Sequence, residues 1–142
     1  MIDIAIKHII NDAGLLEFKF PRYGNGFVTG GDYAAQKFAK IALTNPGTDK
    51  RFPALGGGMP SLLQDVVPGR TYESDVKAAI IIALSNTKEQ IKDAQTLLNI
   101  PRKDALVDYD IIGVSVDRST GSAACSVRIR TFDEAEDLEL NL

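Results

Sequence analysis

The sequence predicts an α+β domain: two main helices packed on a small, mostly antiparallel sheet with a C-terminal β-hairpin. Three observations carry this. Val76, Ile80, Leu84, Thr87, Ile91, Ala94 and Leu98 keep steps of three or four over one long stretch, the spacing of a helix face. A shorter amphipathic stretch precedes it, with Ala35, Phe38, Ala39 and Ala42 on one side and Gln36, Lys37 and Lys40 on the other. Near the end, Ile112, Val114 and Val116 alternate with Gly113 and Ser115, and Cys125, Val127 and Ile129 alternate with Ser126, Arg128 and Arg130. Period-two alternation of that kind marks a half-buried strand.

The elements follow in order. Ile2, Ile6, Ile9 and Ala13 recur at helical spacing and Gly14 can end the turn, which predicts a short N-terminal helix over residues 1–15. Leu16, Phe18 and Phe20 alternate with Glu17 and Lys19 as a strand, and Pro21 ends its ladder. Tyr23-Gly24-Asn25-Gly26 is turn chemistry. Thr29 or Asp32 can cap a helix over about Asp32–Leu43, which Asn45-Pro46-Gly47 breaks. Met59 to Val66 suits a short helix with Pro60 in its first turn, ended by Pro68-Gly69. The long helix starts near Thr71 to Ser74 and runs to about Asn99, where Pro101 stops it. Its phase survives Ser85-Asn86; the alternative is a break there, with Thr87 and Gln90 as a capping box. Asp117-Arg118-Ser119-Thr120-Gly121 is a polar link suited to a hairpin. Residues 133–142 read as an acidic tail, with Asp133, Glu134, Glu136, Asp137 and Glu139, although Leu138, Leu140 and Leu142 alternate within it.

Composition narrows the function. A chain of 142 residues fits one domain, which at this size buries roughly 68–70% of the unfolded surface and needs no disulfide or metal. The net charge of −3 gives no electrostatic reason to expect nucleic acid as the main partner. With Cys125 as the single cysteine, no intramolecular disulfide can form, and a reducing compartment is expected. Asp3, Lys7 and His8 interrupt the apolar N-terminus, so it does not read as a signal peptide. The longest apolar run, Ala78 to Leu84, is too short to span a bilayer, and no membrane partner is expected.

The candidate chemistry is thin. Gly24 and Gly26 lack the third glycine at dinucleotide-loop spacing, and Gly56-Gly57-Gly58 lacks the Lys-Ser/Thr ending of a phosphate loop. The triple glycine reads instead as a flexible or left-handed connection. His8 is the single histidine and lies in the expected N-terminal helix. Cys125 shares a face with Val127 and Ile129, as a small core residue rather than a nucleophile. No His/Cys spacing suits zinc and no Asp-rich loop suits calcium, so no cofactor or metal is expected. Arg128 and Arg130 belong to a polar hairpin face, by default a solvated one. The sharper reading has them guide acidic extended arms onto an exposed strand edge, with Ser126 or Ser115 on the strand that accepts them.

Residues 28–63 read VTGGDYAAQKFAKIALTNPGTDKRFPALGGGMPSLL. A Thr-Gly-Gly-Asp start leads into a helix, a Thr-Asn-Pro-Gly stop, a basic pair at Lys50-Arg51 before Phe52, a triple glycine and then Pro60-Ser61-Leu62-Leu63. That order resembles the baseplate wedge family of contractile phage tails. This is the sheath-initiator family often labelled "lysozyme-like", which type VI secretion baseplates share. The resemblance extends from about Leu16 to Thr131 and includes a Pro101-Arg102 pair where the family has Glu-Pro-Arg after its long helix.

The resemblance implies a sheath-like handshake domain over residues 16–132, flanked by the docking helix (1–15) and the acidic tail (133–142). It implies a structural part of the virion tail baseplate in a myophage, assembled in the host cytoplasm, that templates the first ring of sheath subunits by β-strand exchange and is not an enzyme. Its implied partners are the tail sheath protein and other baseplate wedge proteins, with tail tube or hub proteins as further candidates. Pro101 and Arg102 are implied in docking on the wedge core, and the stripe of Ile2, Ile6 and Ile9 is expected to dock on a neighbour. A baseplate part of a type VI or related contractile injection system is the alternative, which gene neighbourhood would separate. A cell-wall muramidase is a more distant one. Such an enzyme needs two carboxylates in one cleft, and where many relatives carry an acid before the glycine turn this chain has Pro53-Ala54-Leu55-Gly56. Asp65, Glu73 and Asp75 read as solvated helix ends.

Overall fold

The structure, a computed structural model, describes residues 28–66 and 72–142 in full and, before them, only the strand backbone at 3–4, 7–10, 16–19 and 27. The element order is β1 (Asp3–Ile4), β2 (Lys7–Ile10), β3 (Leu16–Lys19), β4 (Phe27–Val28), α1 (Gly30–Ala42), α2 (Met59–Gln64), α3 (Tyr72–Leu97), a 3-10 turn (Arg102–Asp104), β5 (Asp108–Asp117), β6 (Ser122–Arg130) and β7 (Ala135–Asn141). The fold is α+β, with its helices against one face of a three-stranded antiparallel sheet of order β5-β6-β7.

The expected N-terminal helix gives way to strands. β2 pairs antiparallel with β3, placing Ile9 opposite Glu17 and His8 opposite Phe18, and β1 pairs with β4. The reason is legible afterwards: Ile2, Ile4 and Ile6 also repeat every second residue, and β-branched side chains resist helix and fit the pleat. Ile2 and Ile6 themselves lie outside the described residues, as do the turn at residues 23–26 and Pro68-Gly69. The strand expected at Leu16, Phe18 and Phe20 is β3, with Phe20 outside the described residues.

The helices follow their apolar periods. In α1, Ala35, Phe38, Ala39 and Ala42 are all buried, and the Phe38 ring meets Tyr109 of β5 at 5.4 Å between centroids. The helix α3 is continuous through Ser85-Asn86, and Val76, Ile80, Leu84, Thr87 and Ile91 of the expected stripe are buried. Its last turn leaves the core: Leu97 and Leu98 are 86% and 50% exposed. At its centre, Thr87 is fully buried and donates its hydroxyl to the Ala83 carbonyl at 2.7 Å.

The sheet departs from expectation in two places. Residues 133–142 are not a tail. Their alternating leucines form β7, whose partners run from Ala124↔Asn141 to Arg130↔Ala135 in unbroken register. Leu140 is buried, and Leu138 and Leu142 pack against the core. Of the five acids, Asp133 and Glu134 precede the strand, Glu136 stands opposite Ile129 on the leucine side, and Asp137 and Glu139 lie on the other, solvated face, the usual pattern of a one-sided antiparallel sheet. Secondly, the register of β5 on β6 shifts between Ile111 and Gly113. Ile112 is the extra residue of a β-bulge, so it falls out of the row of Val114 and Val116 and is 54% exposed. Cys125, Val127 and Ile129 are fully buried on the central strand, as their alternation predicts.

Candidate functional site

The sheet presents two outer strands, β5 and β7, and a solvated face. The central position of β6 overturns the expectation that Ser126 lies on an acceptor edge: it stands between Gly113 of β5 and Glu139 of β7. Ser115 is on an outer strand, opposite Ala124. Arg128 and Arg130 lie on the solvated face, where their charges meet acids of the adjoining strands. Arg128 holds Asp137 through two bonds, Nε to Oδ1 at 2.7 Å and Nη2 to Oδ2 at 3.0 Å. Arg130 reaches Asp110 at 3.2 Å, and Lys88 of α3 reaches Asp108 at 2.7 Å. The Arg128 hydrogen bonds hold the Asp137 carboxyl below its ordinary pKa, and the Lys88 bond does the same for Asp108. Exposed pairs of this kind contribute little to stability; they fix side chains and leave these guanidinium groups engaged rather than waiting for an acidic arm.

The two outer edges differ. Ala123 and Leu142 exchange both backbone bonds, at 3.0 and 2.8 Å, and Thr131 N donates to Glu134 O at 2.9 Å. Bonded pairs alternate along an antiparallel ladder. The even-numbered residues of β7 therefore bond to β6, and Ala135, Asp137, Glu139 and Asn141 turn their N–H and C=O outward. Among the described residues no strand pairs with that edge. The edge of β5 is also unpaired among them, but the bulge at Ile112 breaks its spacing.

Pro101 and Arg102 form part of a joint at the start of α1. Pro101 opens the 3-10 turn, and the Arg102 guanidinium lies 4.6 Å from the centre of the Phe132 ring. Two residues on, Asp104 is 1% exposed and its Oδ1 accepts the Gly30 amide. Glu134 Oε2 accepts the Gly31 amide at 2.7 Å. Thr29 occupies the N-cap position, but its side chain makes no capping bond. The expected local caps, Thr29 or Asp32, are thus replaced by carboxylates from far along the chain. Burial alone would raise the Asp104 pKa; hydrogen bonds to its carboxylate, the Gly30 amide included, outweigh it and hold the carboxyl below its ordinary value. Glu136 is pushed the other way, by burial and then by Asp32, Glu134 and Asp137.

The triple glycine closes the other end of α1. Gly57 N donates to Ile41 O at 2.7 Å and Gly58 N to Thr44 O at 3.0 Å, while the Gln90 amide grips Gly56 at both its N–H and its carbonyl. Gly58 is left-handed, with φ at 75°. With all three amides engaged, this turn has none to cradle a phosphate. Cys125 is fully buried, and burial raises its thiol pKa, which keeps it un-ionised and unreactive. Asp65, Glu73 and Asp75 are exposed helix-end acids. Among the described residues no cluster of His, Cys, Asp or Glu could hold a metal ion, and no helix is long and apolar enough to cross a membrane.

Two apolar grooves escaped the sequence reading. One is an open groove of about 560 Å³ between the loop Arg51–Leu55 and the end of α3, beside Phe52 (64% exposed) and Leu97. The other, of about 370 Å³, is lined by Leu43, Pro60, Leu63, Gln64, Asn141 and Leu142, where β7 meets the helix layer. Each joins segments distant in sequence, so no local pattern announces it. No protein-family model, curated protein or solved structure matches this chain.

Proposed function

We propose that the chain is a structural component of a contractile tail baseplate wedge, and that it templates the first ring of sheath subunits by β-strand exchange. The observation that supports this most is a three-stranded sheet anchored on one face by helices, with both outer strands unpaired among the described residues. Strand exchange needs unpaired edges on a platform rigid enough to set direction and register. The side chains of Cys125, Val127 and Ile129, fully buried against the helix layer, supply that rigidity at the central strand. The element order through residues 28–63 supports the same reading by resemblance. Templating of this kind is geometric: it involves no turnover and no cofactor. Baseplates assembled without this chain should yield tails with bare tube and no sheath, and cryo-EM of complete particles should place the chain beneath the first sheath ring. Fully sheathed tails in its absence would overturn the proposal.

A further inference from the structure

We infer that β7, rather than the bulged β5, is the acceptor edge, and that it takes an extended protein segment alternating apolar with basic residues. The inference rests on the strand-exchange reading above and names the edge and the chemistry of its occupant.

Three features of β7 converge. The first is continuity. Its register on β6 is unbroken from Ala135 to Asn141, so the outward N–H and C=O of Ala135, Asp137, Glu139 and Asn141 repeat at the even spacing an incoming strand needs. The bulge denies β5 that spacing, and bulges are a usual way to blunt an edge. The second is charge. Asp137 is engaged by Arg128, but Glu139 on the same solvated face has no ion pair among the described residues and stands opposite the uncharged Ser126. A lysine or arginine on the outer face of an added strand would pair with it. The third is the groove of about 370 Å³ formed by Leu43, Pro60, Leu63, Gln64, Asn141 and Leu142. It opens at the end of β7 on the helix side, where the alternate residues of an added strand would point. Successive side chains of a strand face opposite sides. One edge therefore asks for basic residues on one side and apolar residues on the other.

The test uses the purified full chain and short synthetic peptides that alternate lysine with valine, glutamate with valine, and lysine with serine. Binding is followed by titration calorimetry and by amide shifts in NMR. The lysine–valine peptide should bind best, with shifts along residues 135–141. Glu139→Pro removes an outward N–H and should abolish binding while leaving the far-UV spectrum unchanged. Glu139→Lys leaves the backbone intact, so it covers the case in which proline disturbs the strand. It should weaken the lysine–valine peptide roughly tenfold and strengthen the glutamate–valine one. Asp110→Lys, on the β5 side of the same face, should leave binding unchanged. The inference is overturned if the parent binds none of the peptides, if the Glu139 variants bind as the parent does, or if Asp110→Lys loses as much binding as they do. A chain that fails these tests yet is required for sheath assembly would refute the edge and leave the wedge proposal standing. A chain that passes them but is dispensable for sheath would do the reverse.

Discussion

At its C-terminal end α1 gives the Ile41 carbonyl to Gly57, in the turn that leads into α2; at its N-terminal end it takes carboxylates from much farther along the chain. Both solve the same problem, since each end of a helix leaves backbone groups without intrahelical partners. The glycine end is steric. A Cβ on Gly57 would fall 2.8 Å from the Ala83 carbonyl and 3.0 Å from the Ala42 Cα, so only glycine lets the turn pass between α1 and α3. The carboxylate end is remote and electrostatic. Gly30 takes a left-handed φ of 67°, and a Cβ there would stand 2.6 Å from Glu134 Oε2. Glycine at this end makes room for an anion, which the helix dipole also favours. The difference teaches that one helix can be closed at one end by packing and at the other by charge, with different sensitivities to substitution and to pH.

The largest expected effect tests the packed end. Gly57→Ala should destabilise the domain by about 3 kcal/mol, the top of the usual overpacking range, because backbone on both sides of the turn would have to move. A urea melt with unchanged slope and a lowered midpoint would show it; a midpoint matching the parent would mean that the turn is looser than its distances imply.

The charged end should respond to pH. The Asp104 carboxyl has a folded pKa below its unfolded value, so the stability it adds is present above about pH 4 and fades as pH falls through the folded pKa. Asp104→Asn should therefore cost about 1–2 kcal/mol at neutral pH and much less in acid. Equal losses at neutral and acid pH would assign its role to shape rather than charge.

Thr29→Ala should have the smallest effect, within about 0.5 kcal/mol, because the Thr29 side chain makes no capping bond. A loss near 1 kcal/mol, typical of a removed N-cap, would show that the remote carboxylates share their work with a local one.

The same contrast marks what the sequence could disclose. The apolar faces of α1 and α3, the buried Cys125 row and the hairpin follow from short-range periodicity, and all are present. Asp104 and Glu134 were unreadable as caps, because nothing near Gly30 in sequence points to residues so far away. The leucines of β7 alternated in plain view, but the five acids among them suggested solvent; only the partner strand β6 decides between tail and sheet. Ser126 illustrates the same limit, since a strand's own pattern does not reveal whether it lies at an edge or the centre. At the N-terminus the isoleucines fit both periods, and spacing alone does not separate the helix it suggests from the strands the chain forms at Asp3–Ile4 and Lys7–Ile10.

The span between Gly31 and Glu134, 103 residues, also sets an order of events during synthesis. At about 5–20 residues per second, roughly 5–20 s pass between the emergence of α1 and that of the carboxylate that closes it. During that interval the glycine turn, α3 and then Asp104 become available, so the Gly30 amide finds its carboxylate first while the Gly31 amide has only water. A residue just ahead of β7 completes a helix made far earlier, so the nascent chain holds the Gly31 position of α1 open until translation has passed β6.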